Sequence, residues 1–216
     1  MVERIHAYFR TLDLGHEEAA ELATRYYTHY GLEVRGLSRY HNIDPLEFDR
    51  QCDGSLPLED MIKFDPRVRK LIQDIDRSKA RVWALTNAYR HHAQRVLKIL
   101  RLEDQFEGLV FCDYTLPDFV CKPEPAYYKM AMKQANVADP SKCYFIDDNR
   151  KNVNAARAHG WGHCVHLCET GSQVASDDTV EKEDEQEKRD CSDTPVEIVT
   201  ALEGLRSVWP EIFHRT

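Results

Sequence analysis

Cys143-Tyr144-Phe145-Ile146-Asp147-Asp148 is the stretch that decides the fold. An apolar run of four residues has the length of a buried strand, and it ends in two carboxylates. Arg150–His159 then reads as a helix, stopped by Gly160. The same grammar recurs on both sides. Arg81–Thr86 reads as a strand, His91–Leu100 as a helix with Ala93, Val96, Leu97 and Leu100 on one face, and Leu109–Cys112 as a strand. Glu124–Asn136 reads as a helix and Cys164–Leu167 as a strand. Short apolar strands alternating with helices predict an α/β fold built on a parallel sheet with right-handed crossovers.

Residues 1–60 have a different pattern. Val2, Ile5, Phe9 and Leu12 recur at helical spacing, and Ala19–Tyr30 continues it until Gly31. Asp44-Pro45-Leu46-Glu47 places an N-cap acid, a proline at the first helical position and a glutamate at the third. Asp65-Pro66 opens another helix, with Val68, Leu71, Ile72 and Ile75 on one face. The expected organisation is a helical portion over residues 1–64 and an α/β portion over 65–168. An acidic insert follows over 169–195, and a strand (Val196–Val199) and amphipathic helix (Ala201–Phe213) return to the core over 196–216. The insert is expected to be disordered or looped, because it has few large apolar side chains.

Charge and cysteine usage exclude several functions. The net charge is −8, the wrong sign for binding a nucleic-acid polymer. Residues 170–195 carry nine acids against three bases, which leaves the rest of the chain near neutral. The seven cysteines include no CxxC pair, so they argue against a zinc site and for a reducing compartment. No apolar run approaches the length of a membrane span, and the first twenty residues contain no continuous apolar signal segment. The expected location is the cytoplasm, the nucleus or both. Oligomeric state is not legible.

In a parallel α/β sheet, ligands gather at the carboxyl ends of the strands, and three motifs fall there. Thr86 and Asn87 follow the strand ending at Leu85. Their hydroxyl, amide and backbone N–H groups suit phosphate oxygens, although a Thr-Asn pair also suits a helix start. Lys122, between Cys121 and Pro123, presents an ammonium as a point charge. Asp147 and Asp148 repel each other unless a cation is present. Magnesium takes oxygen ligands and often uses only one or two carboxylates with a substrate phosphate; one of the two acids also suits a helix cap.

Taken together and in this order, the motifs resemble the haloacid dehalogenase (HAD) superfamily of phosphohydrolases. Leu85-Thr86-Asn87 looks like that family's second motif, Lys122 its third, and Asp147-Asp148 its fourth. Further stretches are similar to the fungal pyrimidine 5′-nucleotidase branch: Tyr30-Gly31-Leu32 with Arg35-Gly36-Leu37, Asp53 to Leu58, Phe111-Cys112-Asp113-Tyr114 and Val120-Cys121-Lys122-Pro123. The resemblance implies a HAD-like Rossmannoid core with an N-terminal helical cap. It implies magnesium-dependent hydrolysis of nucleoside monophosphates such as UMP and CMP through an aspartyl-phosphate. In that scheme Thr86, Asn87 and Lys122 serve catalysis, Asp147 and Asp148 bind the metal, and Arg35 and Asn87 contact substrate.

The family's first motif, a strand ending in Asp-x-Asp, should precede the cap helices and lie beside the strand carrying Thr86. Met1 aligns inside the first cap helix, so the expectation is an N-terminally truncated, inactive and poorly stable chain whose Met1 is internal to a longer reading frame. Asp74-Ile75-Asp76-Arg77-Ser78 has the right letters but sits at a helix end, and it reads as a charged helix terminus. The alternatives are a non-catalytic HAD-like binding protein, or a phosphatase for another small phosphomonoester.

Overall fold

A computed structural model describes residues 1–12, 14–169 and 196–214. The acidic segment 170–195 lies outside the described residues, so the expectation of disorder there concerns residues of which nothing is said. Five helices come first: α1 (Val2–Arg10), α2 (His16–Tyr30), α3 (Glu33–Tyr40), α4 (Pro45–Gln51) and α5 (Leu58–Met61). Their ends follow local chemistry. Asp44 accepts from Leu46 N at 2.9 Å with Pro45 in the first turn of α4. Asp65 does the same for Arg67 N at 2.8 Å at the start of α6 (Pro66–Gln73). Gly31 ends α2 in the left-handed region, at φ +71°.

The α/β portion alternates as expected: β1 (Trp83–Leu85), α7 (Arg90–Ile99), β2 (Gly108–Val110), α8 (Pro125–Gln134), β3 (Tyr144–Asp147), α9 (Arg150–Ala158), β4 (His163–Leu167) and β5 (Glu197–Val199). All pairings are parallel. The sheet, however, comes in two pieces, β1-β2 and β3-β4-β5, where one continuous sheet would be the simplest reading. Leu85 pairs with Val110, and Asp147 with His166. Among the described residues no strand pairs with the second edge of β1 or of β3. The break lies beside β1, where the resemblance places the family's first strand.

One apolar cluster runs through both portions. Phe9, Leu22, Val34 and Leu37 of the helices pack with Val110, Cys112, Tyr127, Tyr128, Phe145 and Val153 of the α/β portion. A second cluster joins Leu71, Val165, Val199, Leu205, Trp209, Ile212 and Phe213. The amphipathic helix expected over Ala201–Phe213 is not continuous. It is a 3-10 turn, a four-residue helix α10 (Leu205–Val208) and a second 3-10 turn. Pro210 accounts for the interruption: it has no N–H and its ring crowds the preceding turn. The apolar spacing nevertheless still buries Leu205, Trp209 and Ile212.

Candidate active site

Lys122 is the centre of the site. It is 7% exposed, and its ammonium donates to Leu85 O at 3.3 Å and to Asp147 Oδ2 at 2.6 Å. It therefore ties the carboxyl end of β1 to the carboxyl end of β3, across the break in the sheet. An ammonium has three donors; two are used here among the described residues, which leaves one for a ligand oxygen.

The backbone around Lys122 is held from two sides. Asn87 Oδ1 accepts from Lys122 N at 2.7 Å, and Asn87 Nδ2 donates to Lys122 O at 2.9 Å and Gly31 O at 3.4 Å. Gly31 presses on the same peptide: a Cβ added there would lie 2.3 Å from Lys122 O and 2.6 Å from Pro123 Cδ. The Cys121 thiol points at Tyr30 O at 3.2 Å. The adjoining Cys112 thiol and burial push the Cys121 thiol far above its ordinary range, so it stays protonated and is no nucleophile.

Asp147 is buried, and both its oxygens are engaged. Oδ2 holds Lys122, while Oδ1 accepts from Asn149 N and Asn152 Nδ2, each at 2.9 Å. Asp148 is exposed, and its carbonyl bonds His166 Nε2 at 3.1 Å. Asn149 Nδ2 donates to the Tyr27 hydroxyl at 3.0 Å, which joins this strand end to α2. Burial, the largest influence, raises the Tyr27 phenol above its ordinary value. On the β1 side, Thr86 Oγ1 accepts from Ala88 N at 3.1 Å, so its hydroxyl hydrogen points elsewhere.

The structure thus brings Thr86, Asn87, Lys122 and Asp147 together at the strand ends, with Asp148 beside them. Two of the expected site side chains are engaged by protein groups. The Asn87 side chain was expected on a phosphate oxygen, but both ends of its amide are bonded to Lys122 backbone, so it positions the lysine loop. Arg35 was expected to contact substrate, but it is 4% exposed, pairs with Glu124 at 3.2 Å and lies over the Phe119 ring at 5.2 Å. It clamps α3 to the start of α8. The Asp74–Ser78 segment behaves as a charged helix terminus. Asp74 caps α6 and pairs with Arg206 at 2.6 Å and with Lys70, and Asp76 accepts from Ser78.

Sequence reasoning missed Tyr127, Asn149 and Asn152. The Tyr127 hydroxyl donates to Thr86 O at 2.8 Å and Val110 O at 3.1 Å, fixing the ends of β1 and β2. Asn149 was recoverable as an N-cap, since its side chain accepts from Lys151 N at 2.9 Å. Nothing in the spacing marked Tyr127, which looks like any core aromatic of α8.

The donor set can be compared with what magnesium requires. Among the described residues no cluster of three or more His, Cys, Asp or Glu side chains could hold a metal alone. Magnesium often uses only one or two carboxylates with water and phosphate; Asp148 is exposed, and Asp147 would fit once one of its oxygens is released by Lys122 or the two asparagines. Among the described helices none is long and apolar enough to cross a membrane.

Parallel strands with an ammonium, a hydroxyl and paired carboxylates at their carboxyl ends define an α/β protein with its polar site at the strand ends. A family model described as haloacid dehalogenase-like hydrolase matches residues 2–160, and the chain belongs to that family. It is 36% identical over 192 residues to "Phosphate metabolism protein 8" of Saccharomyces cerevisiae, covering 85% of this chain and 60% of that protein. It is 27% identical over 101 residues to "Phosphorylated carbohydrates phosphatase" of Thermotoga maritima, covering 47% of this chain and 45% of that one. The chain therefore spans about half of the length of these two relatives. A solved dehalogenase with an intermediate complex shares the fold, at a TM-score of 0.54 and 18% identity over 98% of this chain and 92% of that chain.

Proposed function

We propose that the protein is a magnesium-dependent phosphomonoesterase acting on pyrimidine nucleoside 5′-monophosphates. The observation that carries this reading is the Lys122 ammonium, held between Leu85 O and Asp147 Oδ2 with its third donor left for an anion. Lys122 neutralises a phosphoryl oxygen, and the Thr86 hydroxyl donates to a second. Asp147 and Asp148 would hold magnesium, which when bound supplies positive charge to the phosphoryl group. In hydrolysis the oxygen–phosphorus bond to the nucleoside breaks, the nucleoside 5′-oxygen takes a proton, and water supplies the new oxygen. The family's route passes the phosphoryl group to an aspartate of its first motif, which splits one hard step into two; none of Thr86, Lys122, Asp147 and Asp148 has that part here, so these four residues bind and orient the phosphoryl group. The helices before residue 65 form a cap that selects the leaving group.

Two other readings have specific support. The Thermotoga relative's name favours a phosphorylated carbohydrate as substrate. A binding protein without turnover is favoured by the Asp74–Ser78 segment, the one stretch with the letters of the nucleophile motif, which is spent on Lys70, Arg206 and Ser78 at a helix end. The deciding experiment measures orthophosphate release from UMP, CMP and ribose 5-phosphate by the 216-residue chain, with and without magnesium, alongside calorimetric binding. Magnesium-dependent release that disappears in Lys122→Ala supports the enzyme. Phosphate-dependent binding with no release leaves the binding protein. No phosphate-dependent binding at all sinks both readings.

A further inference from the structure

The last turn of α2 crosses the strand ends, and one polar group on it has no assigned part. Gly31 N donates to Tyr27 O at 2.8 Å, so the two residues lie one helical turn apart on the same face. Gly31 presses on the Lys122 peptide, where an added Cβ would lie 2.3 Å from Lys122 O. Tyr27 reaches the other side, where its hydroxyl meets Asn149 Nδ2 at 3.0 Å. The backbone N–H of the same Asn149 donates to Asp147 Oδ1 at 2.9 Å. One face of α2 therefore touches the lysine loop at one end and the carboxyl end of β3 at the other.

The direction of the Tyr27–Asn149 bond follows from its neighbours. Asn149 Oδ1 accepts from Lys151 N at 2.9 Å as the cap of α9, which turns Nδ2 toward Tyr27. An amide nitrogen only donates, so the phenol oxygen accepts and its own hydrogen points elsewhere. Among the described residues no group accepts that hydrogen. Tyr27 is 46% exposed. Its hydroxyl is thus held by the protein on the acceptor side and open to a ligand on the donor side. Burial of the rest of the ring, with the charges of Glu33, Asp148 and Asp147 adding to it, raises the phenol above its ordinary value. It keeps its proton at neutral pH and acts as a donor, not as a base.

We propose that Tyr27 is a further substrate-contact residue of the phosphoryl site, its hydroxyl donating to the phosphoryl oxygen that Lys122 and Thr86 leave uncovered. This rests on the phosphomonoesterase reading above and adds to it a direct contact from the helical portion. A phosphomonoester carries three non-bridging oxygens, each an acceptor. Lys122 has one spare donor, from the loop before α8, and Thr86 has one, from the end of β1. Tyr27 supplies the third from α2, beside the end of β3. Three donors on three separate elements can enclose one tetrahedral group. Such an arrangement suits phosphoryl chemistry, which depends on position and on fixed donors.

The test is calorimetric binding of orthophosphate and of UMP to the 216-residue chain with magnesium present, so that it does not require turnover. Tyr27→Phe removes the hydroxyl and keeps the ring. Its affinity for both ligands should fall by the same factor, about tenfold, the size of a hydrogen bond to a charged group. Tyr40→Phe is the control: Tyr40 is 62% exposed and its hydroxyl pairs with that of Tyr30, so both affinities should stay within about twofold. A second readout separates a ligand contact from a mere tether between α2 and Asn149. In protein isotope-labelled at the tyrosine Cζ, the Tyr27 resonance, identified by its loss in Tyr27→Phe, should move when orthophosphate is added, and the Tyr40 resonance should not. If Tyr27→Phe binds orthophosphate as wild type does, or the Tyr27 resonance stays still, the contact is wrong while the phosphomonoester reading stands. A loss confined to UMP would move the contact to the nucleoside and overturn it as well. If neither ligand binds the wild-type chain, the functional proposal falls and this contact with it.

Discussion

Replacing Gly31 with alanine should damage the phosphoryl site from the opposite side of the chain. Gly31 has φ +71°, where an L side chain costs about 1 kcal/mol or somewhat more. The added Cβ would sit 2.3 Å from Lys122 O, where ordinary contact begins at 3.4 Å. The Lys122 peptide must therefore retreat by about 1 Å, the scale of misplacement that disables positioned groups. That retreat pulls on the two bonds from Asn87, at 2.7 and 2.9 Å, each worth about 1 kcal/mol. The total is about 3 kcal/mol, or a fall in melting temperature of about 6–12 °C for a chain of this size. Orthophosphate or nucleotide affinity, measured by calorimetry, should fall about tenfold to a hundredfold as the ammonium shifts. Gly15→Ala is the control: its φ is −62° and nothing lies within 4 Å of the new Cβ, so it should stay within about 0.5 kcal/mol. A Gly31→Ala protein that melts with wild type and binds phosphate normally would refute the idea that Gly31 sets the Lys122 loop.

Tyr127→Phe removes a buried hydroxyl that serves two carbonyls, Thr86 O and Val110 O; chemical denaturation should show a loss of about 1–3 kcal/mol. Lys122→Met leaves Asp147 buried against Asn149 and Asn152 with no cation, and should cost about 3–5 kcal/mol by the same assay. The double variant Lys122→Met with Asp147→Leu should recover most of that stability and bind no phosphate; a double variant as unstable as the single would argue against this reading of the pair. Asp49, Asp53 and Glu33 all have carboxyls raised, mainly by burial, with Asp53 adding to it for Asp49 and Glu33. The folded state then binds their protons more tightly than the unfolded state, so their contribution is greatest below the unfolded carboxylate range near pH 4 and is lost as pH rises through the folded values. The charges of Asp53, His92, His91 and Arg50 act on Asp49, the first raising its carboxyl and the other three lowering it. Asp49→Asn should therefore be the more stable protein at pH 8, with the gap closing toward pH 5 in thermal melts; a gap that widens on acidification would contradict the assigned direction.

Local signals carried much of the fold. Asp44-Pro45, Asp65-Pro66 and Gly31 marked helix ends because caps act within one turn, and the alternation after residue 81 marked the parallel strands. The C-terminal helix was misjudged because its apolar spacing persists across Pro210, and burial was read as continuity. The site was legible in part. Thr86, Lys122 and the two aspartates stood out by residue type and position, since few uses exist for such groups at strand ends. Arg35 and Asn87 were identified by type, but their partners within the protein were not, because Glu124 and Lys122 lie 89 and 35 residues away. No local pattern encodes a partner at that distance.

The Lys122–Asp147 pair argues for function more strongly than for stability. Its side chains are 9% and 5% exposed. At that depth the desolvation of two ions offsets much of their attraction, and a well-packed apolar pair of similar size is often as stable or more so. The surroundings are nevertheless arranged around the charges. Asn87 uses both ends of its amide to hold the Lys122 backbone, Gly31 lacks the side chain that would keep that backbone away, and Asn149 and Asn152 satisfy the remaining oxygen of Asp147. An ion pair kept only for packing would need none of this. An ammonium kept ready for an anion needs all of it: a fixed backbone, a carboxylate that balances the charge until the ligand arrives, and one donor left over. A phosphoryl oxygen at that third donor would compete with Asp147 for Lys122, and a metal on Asp147 and Asp148 would relieve the competition by taking over the carboxylate. Magnesium and phosphate should therefore bind with positive cooperativity, each tightening the other by the same factor. Calorimetric titrations run in both orders measure that factor, and independent binding of the two would show that Lys122 and Asp147 do not act as one unit.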